Sequence, residues 1–183
     1  MDSANILYTV EDVEALPENR RVELINGVLY DMATPTTTHQ RLVQRLSYEL
    51  YRFIQEHKGT CEVFPAPFGV YLTNDNRYLL EPDVTVVCDP QKLDEKGCHG
   101  APDFVAEVVS KNTQNRDYGI KLFKYRTEGV REYWIVNPLV HTVTVYRFDA
   151  EEEAAAVYGM DEEIPVGIFE GLTVQLEDSQ RNI

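Results

Sequence analysis

Asp103-Phe104-Val105-Ala106-Glu107-Val108-Val109 is the stretch on which the fold turns. Phe104, Val105, Ala106, Val108 and Val109 make an apolar run of strand length, rich in β-branched residues, and such a run reads as a buried strand. Glu107 stands inside it. An isolated ionised carboxylate in that setting costs several kcal/mol, so it has to be neutralised, paired or bound to a cation. The bland alternative is a glutamate on the solvated face of an edge strand, or one salt-bridged to a helix.

Working outward, Val84-Thr85-Val86-Val87-Cys88 is a second buried strand, opened by Glu81-Pro82-Asp83. Two strands thus each carry a carboxylate, Asp83 at the start of one and Glu107 near the end of the other. If the strands are neighbours, the two acids converge on a hard divalent cation such as Mg²⁺ or Mn²⁺. The backbone carbonyl after Glu107, that of Val108, is then a third protein ligand, with water completing the shell. Pro82-Asp83 as a plain turn is the competing reading.

A helix is expected from about Thr113 to Glu128, with Gly129 capping its C-terminus. Asp117, Lys121 and Tyr125 are four apart and share one of its faces. They form either a surface ion pair or a face turned toward the carboxylates, where Lys121 orients the attacking water or offsets charge on phosphorus. Gly119 inside this helix costs about 1 kcal/mol, which close packing against the sheet would explain. Ser110 and Thr113 read as helix caps. Glu23 is a further carboxylate for a two-metal or water-mediated site, or simply a hairpin residue. His39, at the start of the long helix, is equally ambiguous, with a surface helix residue the preferred reading.

The other elements support a sheet covered by helices. Thr9 caps a short helix before Pro17, and Asn26-Gly27 joins strands 21–25 and 28–30 as a hairpin. Leu42, Val43, Leu46, Leu50, Phe53 and Ile54 recur at helical spacing up to Gly59. Strands follow at 61–64, 68–72 and 78–80, then at 133–136 and 142–146 around Asn137-Pro138, and one or two more near 172–176. With no repeat and no linker, residues 1–183 read as one domain of the α/β class, an α+β mixed sheet flanked by helices.

Charge and cysteine usage narrow the function less sharply. Thirty-one acidic residues against 17 basic ones give a net charge of −14, awkward for a protein that holds phosphates, since a basic face usually supplies that affinity. Part of the excess falls in Glu151-Glu152-Glu153 and Asp161-Glu162-Glu163, which read as solvated loops. Cys61, Cys88 and Cys98 lack metal-ligand spacing and read as free thiols of a cytoplasmic protein. Met1 to Asn5 carries no secretory pattern, and no apolar run is long enough for a bilayer. No membrane partner is expected; a homo-oligomer, a dimer first, is.

Taken together, Glu81-Pro82-Asp83-Val84, the 100–110 segment, Asp117, Lys121 and Gly129-Val130-Arg131-Glu132-Tyr133-Trp134-Ile135-Val136 resemble the Uma family, as do the Arg21–Gly27 hairpin and the late Gly171-Leu172. This is a group of restriction-endonuclease-like proteins common in cyanobacteria, of the PD-(D/E)XK superfamily. The resemblance implies that Asp83 and Glu107 bind the metal, that Lys121 is the catalytic lysine moved from strand to helix, and that Glu23 is an accessory acid. The strand position of that lysine in other members of the fold is Val109 here. Lys111 replaces a usual proline, and Asn137 a usual aspartate. The implied activity is Mg²⁺- or Mn²⁺-dependent hydrolysis of DNA phosphodiester bonds by an endonuclease, leaving a 5′-phosphate. The alternative is an inactive oligomeric scaffold that kept the fold.

Overall fold

At the N-terminal end Thr9 and Asp12 close a capping box. Asp12 Oδ2 accepts from the Thr9 N–H at 2.8 Å, and the Thr9 hydroxyl accepts from the Asp12 N–H. This box starts α1 (Val10–Glu14). The structure, a computed structural model, describes residues 7–17, 19–150 and 154–177. Asn26 and Gly27 both adopt positive φ, 52° and 75°, the primed-turn geometry that matches strand twist. They join β1 (Val22–Ile25) to β2 (Val28–Asp31) in antiparallel register. α2 (Thr37–Glu56) begins where the Thr36 hydroxyl accepts the His39 N–H, and it buries Leu42, Val43, Leu46, Leu50 and Ile54 along one stripe.

Short strands follow: β3 (Glu62–Pro65), β4 (Gly69–Tyr71), β5 (Tyr78–Leu79), β6 (Val84–Val87), β7 (Leu93–Asp94), β8 (Gly97–His99) and β9 (Phe104–Val108). The chain then crosses over through α3 (Gln114–Arg116), a π turn at Asp117–Lys121 and α4 (Leu122–Glu128) into β10 (Glu132–Asn137). It ends with β11 (Thr142–Arg147), β12 (Ala154–Gly159), β13 (Ile164–Pro165) and β14 (Thr173–Val174). The main sheet runs β12-β11-β10-β9-β6-β3, with β9 and β10 parallel and the other pairs antiparallel. A parallel pair needs a long crossover, which the helical segment supplies.

Strand alternation decides which layer each side chain joins. Phe104, Ala106 and Val108 of β9 pack in the core shared with α2, beside Trp134 and Val136. Val105 and Val109 enter the core on the other face, with Tyr125, Tyr133 and Ile135. Glu107 has the parity of that second face, the one covered by α4. The expected mixed sheet between helices is the fold observed. Among the described residues no helix is long and apolar enough to cross a membrane.

Several local expectations are corrected. The second helix is interrupted by the π turn, and a Cβ at Gly119 would meet nothing within 4 Å, so close packing does not explain that glycine. Thr113 makes no helix-capping bond; its hydroxyl accepts the Ser110 N–H at 3.0 Å instead. β12 was unforeseen, because an alanine run is a poor β signal; it is a strand through its full-length pairing with β11. Cys61 and Cys88 are not free thiols but a disulfide. The β3–β6 register, with Glu62 opposite Val87, extends to place them opposite each other, a juxtaposition that residue spacing does not reveal. Cys98 is free and buried, with burial pushing its thiol pKa up to about 11. Asp161, Glu162 and Glu163 are exposed as expected, while Met1–Asn5 and Glu151–Glu153 lie outside the described residues.

Candidate functional site

The β6–β9 register brings the acids together. Val84 lies opposite Ala106, so the next residue on each strand places Asp83 opposite Glu107. The main chain adds a tie, since the Val108 N–H donates to Asp83 Oδ2 at 2.7 Å. The same oxygen is 3.1 Å from His39 Nε2, which reaches it from the first turn of α2. An ionised carboxylate only accepts, so the imidazole N–H donates.

Glu107 is held from the opposite layer. Lys121 Nζ donates to its Oε1 at 2.9 Å, and the Tyr125 hydroxyl donates to that oxygen at 3.0 Å. The same ammonium donates to Glu23 Oε1 at 2.8 Å, and the Glu81 N–H donates to that atom at 3.2 Å. Asp117 Oδ1 stands 3.6 Å from Lys121 Nζ, and the Tyr133 hydroxyl donates to the Asp117 carbonyl at 3.2 Å. Lys121 is 4% exposed and Asp117 1%, which rules out the surface ion pair. The π turn places both inside, although a helix surface is where Asp and Lys four apart are ordinarily found.

Glu23, His39, Asp83, Glu107, Asp117 and Lys121 line a cleft of about 710 Å³ at the carboxyl end of β9, together with Val108, Arg21, Lys111 and Arg116. A second groove, of about 330 Å³ beside Phe123, Tyr146 and Phe148, contains none of the acids.

The electrostatics are those of a site with too much negative charge. Burial pushes the Glu107 carboxyl well above its ordinary pKa; Lys121 pulls it down, and Asp117, Glu23 and Asp83 raise it again. Burial likewise raises Asp117, against the pull of Lys121. For Lys121 burial works against the charged form, but Glu107, Glu23 and Asp117 outweigh it and hold the ammonium charged. Three carboxylates, Glu23, Glu107 and Asp117, therefore share one buried lysine, with Asp83 adding a fourth negative charge beside Glu107. A site of this sort either takes up a proton or accepts a further cation.

The donor set fits a hard divalent ion. Asp83, Glu107 and the Val108 carbonyl offer only oxygen, and Mg²⁺ commonly takes one or two carboxylates and keeps its remaining positions for water and phosphate. Among the described residues no cluster of three or more His, Cys, Asp or Glu side chains is arranged as a metal cage, so ligation would rest on this sparse set.

Glu23, Asp83, Glu107 and Lys121, named from sequence, thus lie in one cleft, and Glu23 is a direct partner of Lys121 rather than an incidental hairpin residue. His39 is half-buried rather than solvated on the helix surface: it lines the cleft and binds Asp83. Glu132 was also missed. It is fully buried, accepts the Trp134 indole N–H at 2.6 Å and the Ile168 N–H at 2.9 Å, and is structural.

A mixed sheet with facing carboxylates on adjacent strands, and a lysine reaching them from the crossover helix, places the chain in the restriction-endonuclease-like class. It belongs to the Uma2 family, described as putative restriction endonucleases, which it matches over residues 10–177. It is 25% identical over 130 residues to the uncharacterized protein slr1290 of Synechocystis sp., covering 70% of this chain and 67% of that one. Its fold is similar to the crystal structure of a putative nuclease of DUF820 from Anabaena variabilis. The TM-score is 0.73 at 20% identity, with 92% of this chain and 94% of that chain covered.

Proposed function

We propose that the chain is an endonuclease that hydrolyses DNA phosphodiester bonds with the help of Mg²⁺ or Mn²⁺. The observation that carries this reading is the facing Asp83–Glu107 pair, with Lys121 Nζ bonded to Glu107 at the floor of an open cleft. Asp83, Glu107 and the Val108 carbonyl would hold the ion. The chemistry it supplies is Lewis acidity at the phosphoryl group and a more acidic water.

The chain's own groups divide the remaining work. Lys121 is held as an ammonium by three carboxylates, so it acts as a fixed positive charge. It offsets charge developing on the phosphate and orients the attacking water, and it does not take up a proton. Glu23 keeps that ammonium in place from β1, and Tyr125 fixes Glu107 from α4. Lys111 and Arg116 at the rim give the cleft a local basic edge despite the net charge of −14; Arg21 is already paired with Glu81. Few phosphate contacts fit this rim, so low salt should favour binding.

The test is incubation with supercoiled and single-stranded DNA at low salt, with Mg²⁺ or Mn²⁺ and with EDTA. The expected result is metal-dependent cleavage leaving 5′-phosphate ends that a ligase rejoins. Cleavage that persists in EDTA, or none on either DNA with metal bound, would overturn the assignment.

A further inference from the structure

We infer that His39 is a positioning residue for the ion site, locking Asp83 so that one carboxylate oxygen is committed to the protein and the other is left for the cation. The inference rests on the metal-dependent reading above and assigns a role to a residue outside the ligand set.

The argument begins with Asp83 Oδ2. It accepts two hydrogen bonds, from the Val108 N–H at 2.7 Å and from His39 Nε2 at 3.1 Å. One donor belongs to the sheet, the other to α2, so the carboxylate is fixed from two layers at once. With Oδ2 engaged twice, Oδ1 is the oxygen available to a ligand. The Val108 N–H alone would leave the carboxylate free to turn about χ2, a soft torsion for aspartate.

His39 is built to hold that bond. Its own N–H donates to the Thr36 hydroxyl at 3.2 Å, so the cap that starts α2 also anchors the histidine backbone. Its ring Nδ1 is buried with no hydrogen-bond partner. A histidine in the first turn of a helix could turn into water and satisfy both nitrogens. This one instead leaves a buried acceptor unpaired, a cost offset at the Asp83 contact. Partners that orient a metal-binding carboxylate commonly change affinity when removed, although they never touch the ion.

The test is calorimetric titration with Mn²⁺ alone, with no DNA present. It uses the wild type, His39→Ala, His39→Gln and Glu107→Ala, with thermal melts of each protein in EDTA. Glutamine keeps an N–H donor near the Nε2 position. His39→Ala should weaken Mn²⁺ binding about 10- to 100-fold, and His39→Gln should recover most of that loss at a similar melting temperature. Wild-type affinity in His39→Ala overturns the inference while leaving the metal site standing. Equal weakening in His39→Ala and His39→Gln, with unchanged melts, overturns positioning in favour of direct ligation by the imidazole. No saturable binding by the wild type sinks the metal-dependent reading, and this inference with it.

Discussion

Replacing Lys121 with methionine removes one buried cation and leaves its partners in place. Nζ lies 2.8 Å from Glu23 Oε1, 2.9 Å from Glu107 Oε1 and 3.6 Å from Asp117 Oδ1, at 4% exposure. Breaking a buried pair from one side costs about 3–5 kcal/mol, because uncompensated charge remains. For a chain of this size that corresponds to a drop of roughly 6–20 °C in Tm at pH 8. Total stabilities of about 5–15 kcal/mol leave most of the protein folded at 25 °C. The sign with pH follows from the carboxylates. Without the ammonium, the folded pKa values of Glu107 and Asp117, already raised by burial, rise further above the unfolded ones, so the stability tied to them is present at low pH and lost as pH rises through the folded values. Each pH unit of descent recovers about 1.4 kcal/mol per carboxylate that takes up a proton. In the wild type Lys121 stays charged across pH 5–8 and adds no slope of its own. Thermal melts of both proteins from pH 5 to pH 8 should therefore converge at the acid end. Equal melting temperatures at pH 8, or a gap that does not change with pH, would refute the buried-charge argument.

Three further outcomes are expected. Since burial and neighbouring acids raise the Glu107 pKa, Mn²⁺ competes with a proton there. Affinity should rise from pH 5 to pH 8, with proton release visible as a buffer-dependent binding enthalpy; constant affinity over that range would contradict the proton competition. Leu50 is wholly buried and Tyr51 is 55% exposed, so Leu50→Ala should cost about 2–5 kcal/mol and Tyr51→Ala less than about 0.5 kcal/mol in urea denaturation. The Cys61–Cys88 bond leaves only Cys98 free; protein unfolded without reductant should titrate one thiol, and three thiols would show that the bond is absent.

The sequence made the framework legible where local chemistry is decisive. Asn26-Gly27 dictates its hairpin, Gly129 at φ 96° ends its helix, and a glutamate among valines announces an occupied interior. What stayed hidden depends on contacts between distant segments. Cys61 and Cys88 are 27 residues apart and meet only through strand register. His39 is 44 residues from Asp83, and nothing local to α2 shows that its first turn overhangs β6. The π turn was illegible for another reason: a spacing of four between Asp117 and Lys121 suits an ordinary helix surface, and only the packed fold shows that face turned inward. Glu132 was obscured by the apolar Tyr133-Trp134-Ile135-Val136 beside it, and its partner at Ile168 lies 36 residues away.

The most direct measurement is the rate of supercoiled DNA nicking by wild-type protein and by Glu107→Ala, purified in parallel and assayed at the same Mn²⁺ concentration. The account expects the wild type to nick the plasmid, EDTA to stop it, and Glu107→Ala to fall to background while remaining folded. Equal nicking by the two proteins would place the chemistry somewhere other than the Asp83–Glu107–Lys121 cleft.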